Sequence, residues 1–493
     1  MAIAFKANNS SDIQPHSPSS IVETGIRFME TKKRFAFSFL ITWVCTCLLA
    51  VIIGLTSNPT PAKADVIYHA FDECFANVTA ELPEIKAAGY NYIQISPPNQ
   101  TPGREDDACT SDKYWYFQYQ PFDYVLEGNL GNEQDLKDLI DAAHERGIKV
   151  IADVVFNHMA NYRFYQDVAP FPEAYPLYPK KEYFHEAKCI ADYNNPYEVE
   201  NDWLCSPNDR EGLPDLRTDL PYVQQKQHEY MQKLMDLGID GFRFDAVKHI
   251  SVEDLEKIVE VIPEDKFYYG EAIGRNFDES MKYIPVFPKV TDFQLVNTLK
   301  SAFTYGGDLR SLVNPADTQR AVPGDNAVTF ARNHDTWAIG QFDNWKFDKN
   351  DLVLATAYVL GRKEGTPLIL TFDAFDPTIV AGTKFHEQMM GESQYYRNGN
   401  EIADSADNPN LLFIERGDKG LTIINKAGET FDVTAAKMPG LGVGCYNELQ
   451  YDFEMCVDYG GDGQKYINKW GSPNRGGIEI GPRTALFFVK NEA

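Results

Sequence analysis

The sequence predicts an α/β protein built on a (β/α)8 TIM barrel, with a small inserted domain after strand 3 and a C-terminal antiparallel β domain. Three observations predict this fold class. From residue 65, short apolar runs alternate with amphipathic helical patterns; a long polar segment follows the third run; and closely spaced alternating runs begin near residue 408. A doubly wound parallel sheet gives a similar alternation, so the pattern alone leaves both architectures open.

Residues 1–64 have the pattern of an N-terminal extension and signal peptide. Lys32, Lys33 and Arg34 precede an apolar run of about 21 residues, and the small-x-small triplet Ala-Lys-Ala follows at 62–64. We therefore expect cleavage after Ala64 and a secreted protein, extracellular or periplasmic, with no membrane contact after cleavage. The alternative is an uncleaved anchor, since the run is also long enough to span a bilayer.

Composition limits the class of partner. The chain of 493 residues is 43% apolar, which is ample for a large core and argues against disorder beyond the N-terminus. Residues 1–64 hold six Lys/Arg and three Asp/Glu, which leaves 40 against 69 and a net charge of −29 in the rest. Nucleic acid and anionic lipid both require basic patches, so neither is expected as a partner. A neutral substrate is not repelled, although solubility is the simpler explanation of the charge.

Eight stretches have the composition of strands, and amphipathic helices lie between several of them. The predicted strands are 66–71, 91–96, 149–156, 241–246, 266–272, 291–296, 327–332 and 367–372. The clearest predicted helices are 132–147, 224–238 and 251–262. Gly147, Gly238 and Gly241 punctuate helix ends or the loops that follow them.

Two changes in pattern predict the domain limits. The segment 159–219, rich in Tyr, Pro, Asn and Asp, is too long for an unstructured loop, so we expect an inserted domain there. After residue 408 the short alternating runs indicate an antiparallel β domain. The predicted limits are 1–64 for the extension, 65–158 and 220–407 for the barrel, 159–219 for the insertion, and 408–493 for the C-terminal domain.

Six cysteines remain after the predicted cleavage, and none has the spacing of a zinc or redox site. An even number in an exported protein favours structural disulfides, with 15 possible pairings. Sequence proximity favours Cys189–Cys205 and Cys445–Cys456, which leaves Cys74–Cys109.

The stretch "GFRFDAVKH" at 241–249 combines strand character with charge. Because alternate side chains of a strand share a face, Phe242 and Phe244 are expected to face the helices, while Arg243 and Asp245 point into the barrel. The same alternation places Asp153 inward on an earlier strand. Active sites of (β/α)8 barrels are built at the C-terminal ends of the strands, where these polar groups lie.

Four acids recur at predicted strand ends: Asp153, Asp245, Glu271 and Asp335. Any one of them alone is explained by an ordinary ion pair, but burying several together is costly unless they are paired or one is protonated. A protein seldom tolerates this without a use for the acids. Acids in unlike environments suit glycosidic-bond cleavage, with one as nucleophile and a second, of raised pKa, as proton donor. Arg243 beside Asp245 is expected to keep that nucleophile ionised.

At this point several stretches resemble the α-amylase family of glycoside hydrolases, in particular animal-type and related bacterial members. The resemblance covers about residues 65–490 and rests on blocks that occur in the family's order: "YIQISPPNQ" (92–100), "YWYFQYQP" (114–121), "DVVFNH" (153–158), "GLPDL" (212–216), "GFRFDAVKH" (241–249), "GEA" (270–272) and "ARNHDT" (331–336). Arg332 departs from the pattern, because an acidic or small residue is more usual before "NHD".

The resemblance implies a catalytic barrel, an inserted domain, a C-terminal β-sandwich and a retaining mechanism. Asp245 matches the nucleophile, Glu271 the general acid/base and Asp335 the residue that binds and stabilises the distorted sugar. The matched substrate-binding residues are Asp153 as a supporting acid, His158, Arg243 and His334 near the cut, Lys248 on the leaving-group side, and Trp115, Tyr116 and Tyr119 as aromatic platforms. Away from the family, such aromatic residues are more often core, and Lys248 would be a solvated helix-start lysine.

The resemblance also implies a calcium ion. Asn157 and Asp215 match side-chain ligands, and His249 matches a ligand through its carbonyl; Trp203 is a further carbonyl candidate. These are the hard oxygens that calcium prefers. Some animal-type members also bind chloride; Arg243 and Asn333 match two of its ligands, but Leu368 occupies the third, basic position, so chloride is doubtful.

We therefore expect a secreted, monomeric, endo-acting α-amylase that cleaves α-1,4-glucosidic bonds in starch, glycogen or maltooligosaccharides. A maltooligosaccharide-releasing or transglycosylating activity of the same family is the near alternative, because a sugar hydroxyl can replace water in the same chemistry. A membrane-anchored, inactive homologue that serves as an interaction subunit is the more distant alternative.

Overall fold

The structure is a computed structural model that describes residues 66–101, 112–161, 171–205, 212–338, 340–398, 408–451, 453–468 and 477–491. All of these belong to one compact unit, Pro61–Ala493. The predicted extension and signal peptide, 1–64, lies outside the described residues. Within the described ranges, no helix combines the length and the apolar character needed to cross a membrane.

Eight parallel strands form a closed barrel in which each strand pairs with its neighbours in chain order. The strands are β1 (Ile67–Ala70), β2 (Tyr92–Ile95), β3 (Lys149–Val154), β4 (Gly241–Phe244), β5 (Phe267–Gly270), β6 (Lys289–Thr291), β7 (Ala327–Thr329) and β8 (Thr366–Leu370). Ile67 pairs with Tyr92 on one side and with Leu368 on the other, which closes the barrel. The predicted (β/α)8 barrel is confirmed, and the doubly wound sheet is excluded.

The strands are apolar on both faces because both faces are covered. Ile67, Ile151 and Leu368 pack inside the barrel, whereas Phe242 and Phe244 pack outward in the main core cluster. Parallel strands enclosed in this way need no polar face, except where the chain builds a site. The alternation predicted for Phe242 and Phe244 is therefore confirmed.

Ten α-helices of the described ranges follow or connect the strands. They are α1 (Phe75–Ala87), α2 (Glu133–Glu145), α3 (Pro196–Asn201), α4 (Pro221–Leu237), α5 (Val252–Val259), α6 (Phe277–Met281), α7 (Phe293–Phe303), α8 (His334–Ala338), α9 (Lys349–Gly361) and α10 (Pro377–Gln388). Asn132 opens α2 with a capping box, and Ser251 caps α5 through the Asp254 amide. Gly238 ends α4 with a φ of +110°, a conformation that glycine adopts without strain.

Short elements complete the barrel loops. The 3-10 helices are Asp112–Phe117, Lys181–Tyr183, Val247–His249, Leu309–Leu312, Pro315–Thr318, Gly324–Asn326 and Gly340–Trp345, and the two-residue strands Glu127–Gly128 and Gly131–Asn132 pair with each other.

One predicted strand, 291–296, is wrong. The sixth barrel strand ends at Thr291, and α7 begins at Phe293. The Asp292 side chain accepts a hydrogen bond from the Leu295 amide at 2.9 Å and so caps the helix. The buried apolar residues of the first turn of α7 have the composition of a buried strand. The capping contact of Asp292 favours the helix over the strand.

The long segment between β3 and β4 contains little regular structure besides α3, α4 and one 3-10 turn. Isolated bridges, Phe184 with Leu216 and Leu204 with Leu213, hold it together. The Cys189–Cys205 disulfide lies within it, as predicted. The limits of this domain stay a prediction.

The C-terminal region is an antiparallel β domain, as predicted. Its strands are β9 (Gln394–Asn398), β10 (Leu411–Arg416), β11 (Gly420–Asn425), β12 (Phe431–Asp432), β13 (Gly444–Glu448), β14 (Glu454–Tyr459), β15 (Lys465–Ile467), β16 (Glu479–Ile480) and β17 (Thr484–Lys490). Seven of them form one sheet in the order β9-β10-β11-β17-β13-β14-β15, and β12 pairs with β16.

The large sheet is covered on both faces. Leu412 and Ile424 pack with residues of α9 and α10, whereas Phe413 and Ile423 pack with Ile480 of the two-stranded sheet. The Cys445–Cys456 disulfide joins β13 to β14, as predicted. The third predicted pair, Cys74–Cys109, includes a residue outside the described ranges.

Candidate active site

The polar side chains predicted to meet do lie at the C-terminal ends of the barrel strands. Arg243 is in β4, Asp245 follows β4, Glu271 follows β5, and Asp335 lies in α8, after β7. Two backbone hydrogen bonds continue the strand ladders beyond their ends: the Asp245 amide donates to the Val154 carbonyl at 2.9 Å, and the Glu271 amide to the Phe244 carbonyl at 2.8 Å. These bonds fix the backbone positions of Asp245 and Glu271 at the C-terminal end of the barrel.

Arg243 organises the site from below. Its Nη1 donates to both oxygens of Asp153 at 2.7 Å and to Asp245 Oδ1 at 2.8 Å, and its Nη2 lies 2.5 Å from Glu271 Oε1. The side chain is only 2% exposed. One guanidinium therefore binds three buried carboxylates, an arrangement that charge-assisted hydrogen bonds stabilise strongly.

Burial and mutual repulsion set the proton affinities of these acids. Burial raises the pKa of Asp153 to about 7 against the opposing effect of Arg243. Burial also raises the pKa of Asp245, while Arg243 and His158 oppose this effect. The sequence-based expectation for Arg243 therefore holds in direction, but burial outweighs its influence. For Arg243 itself, burial opposes the charge, yet the three acids raise its pKa well above the usual value.

Glu271 is the acid best placed to carry a proton. Burial raises its pKa well above the usual value; Arg243 opposes this, and the charges of Asp245 and Asp335 add to it. The ligand atoms of Glu271, His334 and Asp335 lie within 4.8 Å of one another. Burial also raises the pKa of Asp335, so that these two neighbouring acids tend to share protons.

A cavity of about 520 Å³ opens above the acids. Its walls contain Asp245, Glu271 and Asp335 together with the predicted substrate-binding residues Trp115, Tyr116, Tyr119, His158, Lys248 and His334. Arg243 and Asp153 are buried below it and contact the acids instead of lining the cavity. Their role in substrate binding stays a prediction.

Aromatic rings form one wall of the cavity. Tyr119 stacks on His334, with ring centroids 4.9 Å apart, and Trp115 lies 6.0 Å from each of them. His158 Nε2 donates to the Tyr119 carbonyl at 2.9 Å, which orients the imidazole toward the acids. Lys248 lies at another part of the wall, with Nζ 5.6 Å from the Tyr193 ring.

Comparison with known proteins identifies the family. The family described as "Alpha amylase, catalytic domain" matches residues 75–367. The chain belongs to the α-amylase family. An α-amylase of Aeromonas hydrophila is 35% identical over 427 residues, covering 77% of this chain and 88% of the relative. An α-amylase of Phaedon cochleariae is 27% identical over 483 residues, covering 87% and 96%.

Solved structures show the same fold. A mutant of α-amylase I from Eisenia fetida, in complex with maltohexaose, superposes with a TM-score of 0.69 at 20% identity, covering 88% of this chain and 98% of that one. The cyclomaltodextrin glucanotransferase CldA gives 0.66 at 20% identity, covering 88% and 100%. The chain is thus a glycoside hydrolase with an α-amylase-type catalytic barrel and a C-terminal β domain.

The residues that resemble the family's calcium ligands make hydrogen bonds with or within the segment between β3 and β4. The Leu216 amide donates to the Asn157 carbonyl at 2.8 Å, which places Asn157 beside Asp215. The Trp203 indole donates to the His185 carbonyl at 3.3 Å, and the His249 ring donates to the Val199 carbonyl at 2.9 Å. The Trp203 carbonyl also accepts a hydrogen bond from the Ile190 amide at 3.1 Å.

Asp215 supports the fit of a divalent cation. It is 1% exposed, and burial raises its pKa to about 7, which His185 opposes. Its Oδ2 accepts a hydrogen bond from His185 Nδ1 at 2.6 Å, whereas its Oδ1 has no hydrogen-bond partner in the described part of the chain. A cation at Oδ1 would satisfy this oxygen and hold the carboxylate ionised.

The chloride position does not fit an anion. Leu368 is 3% exposed and packs in the apolar interior of the barrel with Tyr269 and Val328. Arg243 is already bound to three acids, and Asn333 Nδ2 donates to Asp335 Oδ2 at 3.3 Å. The second cation that a buried chloride requires is therefore replaced by an apolar side chain.

Sequence reasoning missed several residues of the site. His69 in β1 is fully buried against His334, with ring centroids 5.2 Å apart, and its inward position followed from the alternation of the strand. His185, the partner of Asp215, has no sequence signal. Tyr193 and Phe342 also line the cavity, but they come from irregular segments whose position only the tertiary structure reveals.

Proposed function

We propose that the protein is an endo-acting α-amylase that hydrolyses α-1,4-glucosidic bonds in starch, glycogen and maltooligosaccharides, with retention at the anomeric carbon. The observation that carries this proposal is the shared guanidinium of Arg243, which holds Asp245 and Glu271 side by side at the floor of an aromatic-lined cavity. Two carboxyl groups bound to one guanidinium are held close together. The retaining mechanism uses a close pair, about 5 Å apart, whereas inversion needs a wider gap.

Asp245 is assigned as the nucleophile. Its carboxylate attacks the anomeric carbon and forms a covalent glycosyl intermediate. The hydrogen bond from Arg243 Nη1 at 2.8 Å orients the carboxylate and opposes the effect of burial on its charge. His158 adds a second opposing contribution.

Glu271 is assigned as general acid and then general base. Its raised pKa keeps a proton available for the leaving oxygen at near-neutral pH. The Ala246 amide donates to Glu271 Oε2 at 2.8 Å and fixes the orientation of the carboxyl group. Once Asp245 carries the sugar, the nearby negative charge is lost, and Glu271 can accept a proton from the attacking water.

Asp335 and His334 are assigned to the sugar next to the cut. Asn333 holds Asp335, and the stacking of His334 on Tyr119 fixes the imidazole. Hydrogen bonds from these groups to ring hydroxyls would favour a distorted sugar. Trp115 and Tyr116 would contact the apolar faces of further glucose units on one side, and Lys248 would contact the leaving group on the other.

The cavity supports internal cutting because its walls continue on both sides of the acids. Trp115 and Tyr116 lie in the loop after β2, whereas Lys248 and Arg275 lie in the loops after β4 and β5. A glucan chain can therefore extend in both directions from the bond that is cut.

We assign a calcium site to Asn157, Asp215 and the carbonyl groups of His249 and Trp203. The ion would tie the segment between β3 and β4 to the barrel, because Asn157 follows β3 and His249 follows β4. The ion would compensate the negative charge of the buried Asp215 carboxylate, and its role would be structural. We also propose secretion as a monomer after removal of residues 1–64, consistent with the disulfides Cys189–Cys205 and Cys445–Cys456.

The test is hydrolysis of soluble starch with calcium present, followed by chromatography of the early products and NMR of their anomeric configuration. Mixed maltooligosaccharides of α configuration are expected. Glu271→Gln should lose at least about 10³-fold in kcat with folding intact, whereas Glu264→Gln, the same change at an exposed loop residue, should not.

Three outcomes contradict this assignment. Release of a single short product would point to an exo-acting relative, and larger products formed from maltooligosaccharides would point to transglycosylation. Absence of activity in the secreted or anchored protein would favour the inactive homologue.

A further inference from the structure

Two aromatic side chains at the mouth of the barrel are not part of the site described above. Trp337 lies in α8 and Phe372 just after β8, with ring centroids 4.8 Å apart; we call them the rim pair. Phe372 is 50% exposed, although its ring would be more stable in a core. Trp337 is half-buried, so Phe372 provides the exposed face of the pair. An exposed aromatic face beside a cleft is suited to contact with a ligand.

The rim pair is continuous with the aromatic wall of the cavity. Phe71 lies between the rim pair and this wall. Its ring centroid is 6.0 Å from that of Trp337 and 6.5 Å from that of Phe372, and on the other side it is 5.6 Å from that of Trp115. Trp115 lines the cavity directly. Phe71 itself is only 2% exposed, so packed rings connect the cavity wall to the rim, and Phe372 provides the exposed face at the outer end.

The position in the barrel shows which end of the cleft the rim pair extends. Phe372 follows β8, which pairs with β1 and β7, whereas Lys248 and Arg275 follow β4 and β5. These strands lie three or four positions away around the eight-stranded barrel. The rim pair is thus across the mouth from Lys248 and Arg275.

An ion pair fixes the loop that carries Phe372. Arg332 donates through Nε to Asp373 Oδ2 at 3.0 Å and through Nη2 to Oδ1 at 2.5 Å. This bidentate contact joins the segment after β7 to the residue beside Phe372, and Arg–carboxylate forks of this type are geometrically specific. It gives a role to the arginine that departs from the family pattern before "NHD".

We propose that the rim pair is an additional glucose-binding site, which contacts a unit of the same glucan chain beyond Trp115, and that Arg332–Asp373 positions it. This inference rests on the proposed function. The occupant is a sugar because only the buried Phe71 ring separates the rim pair from Trp115 of the cavity wall, and flat aromatic faces suit the apolar face of a glucose ring. Short chains end before the rim and do not contact it.

Binding tests the proposal without turnover. In the Glu271→Gln protein, the affinity for maltoheptaose and maltotriose is measured by calorimetry, with and without Phe372→Ala. The maltoheptaose affinity should fall about 3- to 10-fold, the range of a lost ring contact, while the maltotriose affinity stays within about twofold. Tyr305→Ala is the matched control, since that fully exposed ring follows α7, at the opposite face of the barrel, and should change neither affinity.

Equal loss for both sugars, or no loss for maltoheptaose, overturns the proposal. A change of oligomeric state in Phe372→Ala would assign the rim pair to a second copy of the chain and also overturn it. Hydrolysis is measured separately on the unmodified protein. Maltoheptaose binding without hydrolysis contradicts the proposed function alone, and hydrolysis with Phe372-independent binding contradicts the rim site alone.

The positioning pair has its own readout. Arg332→Ala should reproduce the selective loss for maltoheptaose, and Arg332→Lys should restore part of it. Combined with Phe372→Ala, Arg332→Ala should cause no further loss, because both changes remove the same contact. Additive losses, or a loss that includes maltotriose, would show that Arg332 does not act through Phe372.

Discussion

Two buried arginines show how the same side chain serves chemistry in one region and architecture in another. Arg243 and Arg416 are 2% and 1% exposed. Arg243 binds three carboxylates, which raise its pKa, whereas Arg416 donates to the Gly361 carbonyl at 3.2 Å and the Met389 carbonyl at 2.7 Å. Burial lowers the pKa of Arg416 to about 10.

The partners explain the difference. Gly361 is the last residue of α9, and Met389 is the C-terminal cap of α10, so Arg416 in β10 donates to carbonyl groups at two helix ends. The Met389 carbonyl also accepts a hydrogen bond from the Glu392 amide at 3.1 Å. It thereby joins the β domain to the barrel. At Arg243 the partners are titratable, so the cluster can exchange protons. Burial of charge is therefore not a sign of a reactive site unless the partners are ionisable.

The largest expected contrast comes from removing the charge of each arginine. Arg243→Gln should lower kcat by at least about 10³-fold, because Asp245 and Glu271 lose their shared donor. Arg416→Gln should leave kcat within about twofold, since it is far from the reacting groups. Steady-state hydrolysis of starch measures both, with circular dichroism as the control for folding. Similar losses of kcat in the two variants would contradict the distinction.

Stability should show the reverse order. Arg416→Met removes the side-chain donor of the Gly361 carbonyl at a buried interface, while the Met389 carbonyl keeps the Glu392 amide, and we expect a loss of about 1–3 kcal/mol in the free energy of unfolding. The readout is denaturant unfolding, with Lys419→Met on the neighbouring exposed turn as control. An unfolding free energy equal to that of the control would show that the helix ends need no cap.

Calcium extends the comparison to a third buried charge, Asp215. If the ion binds there, a free concentration about 100 times its dissociation constant should stabilise the protein by about 2.7 kcal/mol. Thermal unfolding with and without a chelator measures this effect, and Asp215→Asn should abolish it. Asp219 is a more exposed acid nearby, and the Asp219→Asn variant should still be stabilised by calcium. A calcium effect that persists in Asp215→Asn would place the ion elsewhere.

The smallest effect concerns pH. Asp153 shares Arg243 with Asp245 and Glu271, the two acids to which we assign the catalytic roles, and Arg243 lowers the pKa of both. Asp153→Asn should strengthen this influence, so both limbs of the pH profile of kcat/KM should move to lower pH, by about one unit. The direction decides the test: a shift to higher pH, or none, would show that Asp153 does not compete for Arg243.

Much of the fold could be predicted because its signals are local. Seven of the eight barrel strands lie largely within predicted runs, while the sixth shares only Thr291 with its run, and the disulfides Cys189–Cys205 and Cys445–Cys456 follow sequence proximity. The error at 291–296 arose where composition favours a strand and the Asp292 cap decides for a helix. Local composition does not contain the capping contact.

For the site, the sequence by itself determined which polar side chains lie together at the C-terminal end of the barrel. The alternation in β4 places Arg243 and Asp245 inward, and parallel strands bring their C-terminal ends together. Only the tertiary structure decided how these groups share contacts. One guanidinium binds three acids, Asp153 lies below the cavity, and Arg332 forms an ion pair with Asp373, the residue next to Phe372. The physical reason is that alternation follows from backbone geometry within a strand, whereas partners and burial depend on residues that are distant along the chain.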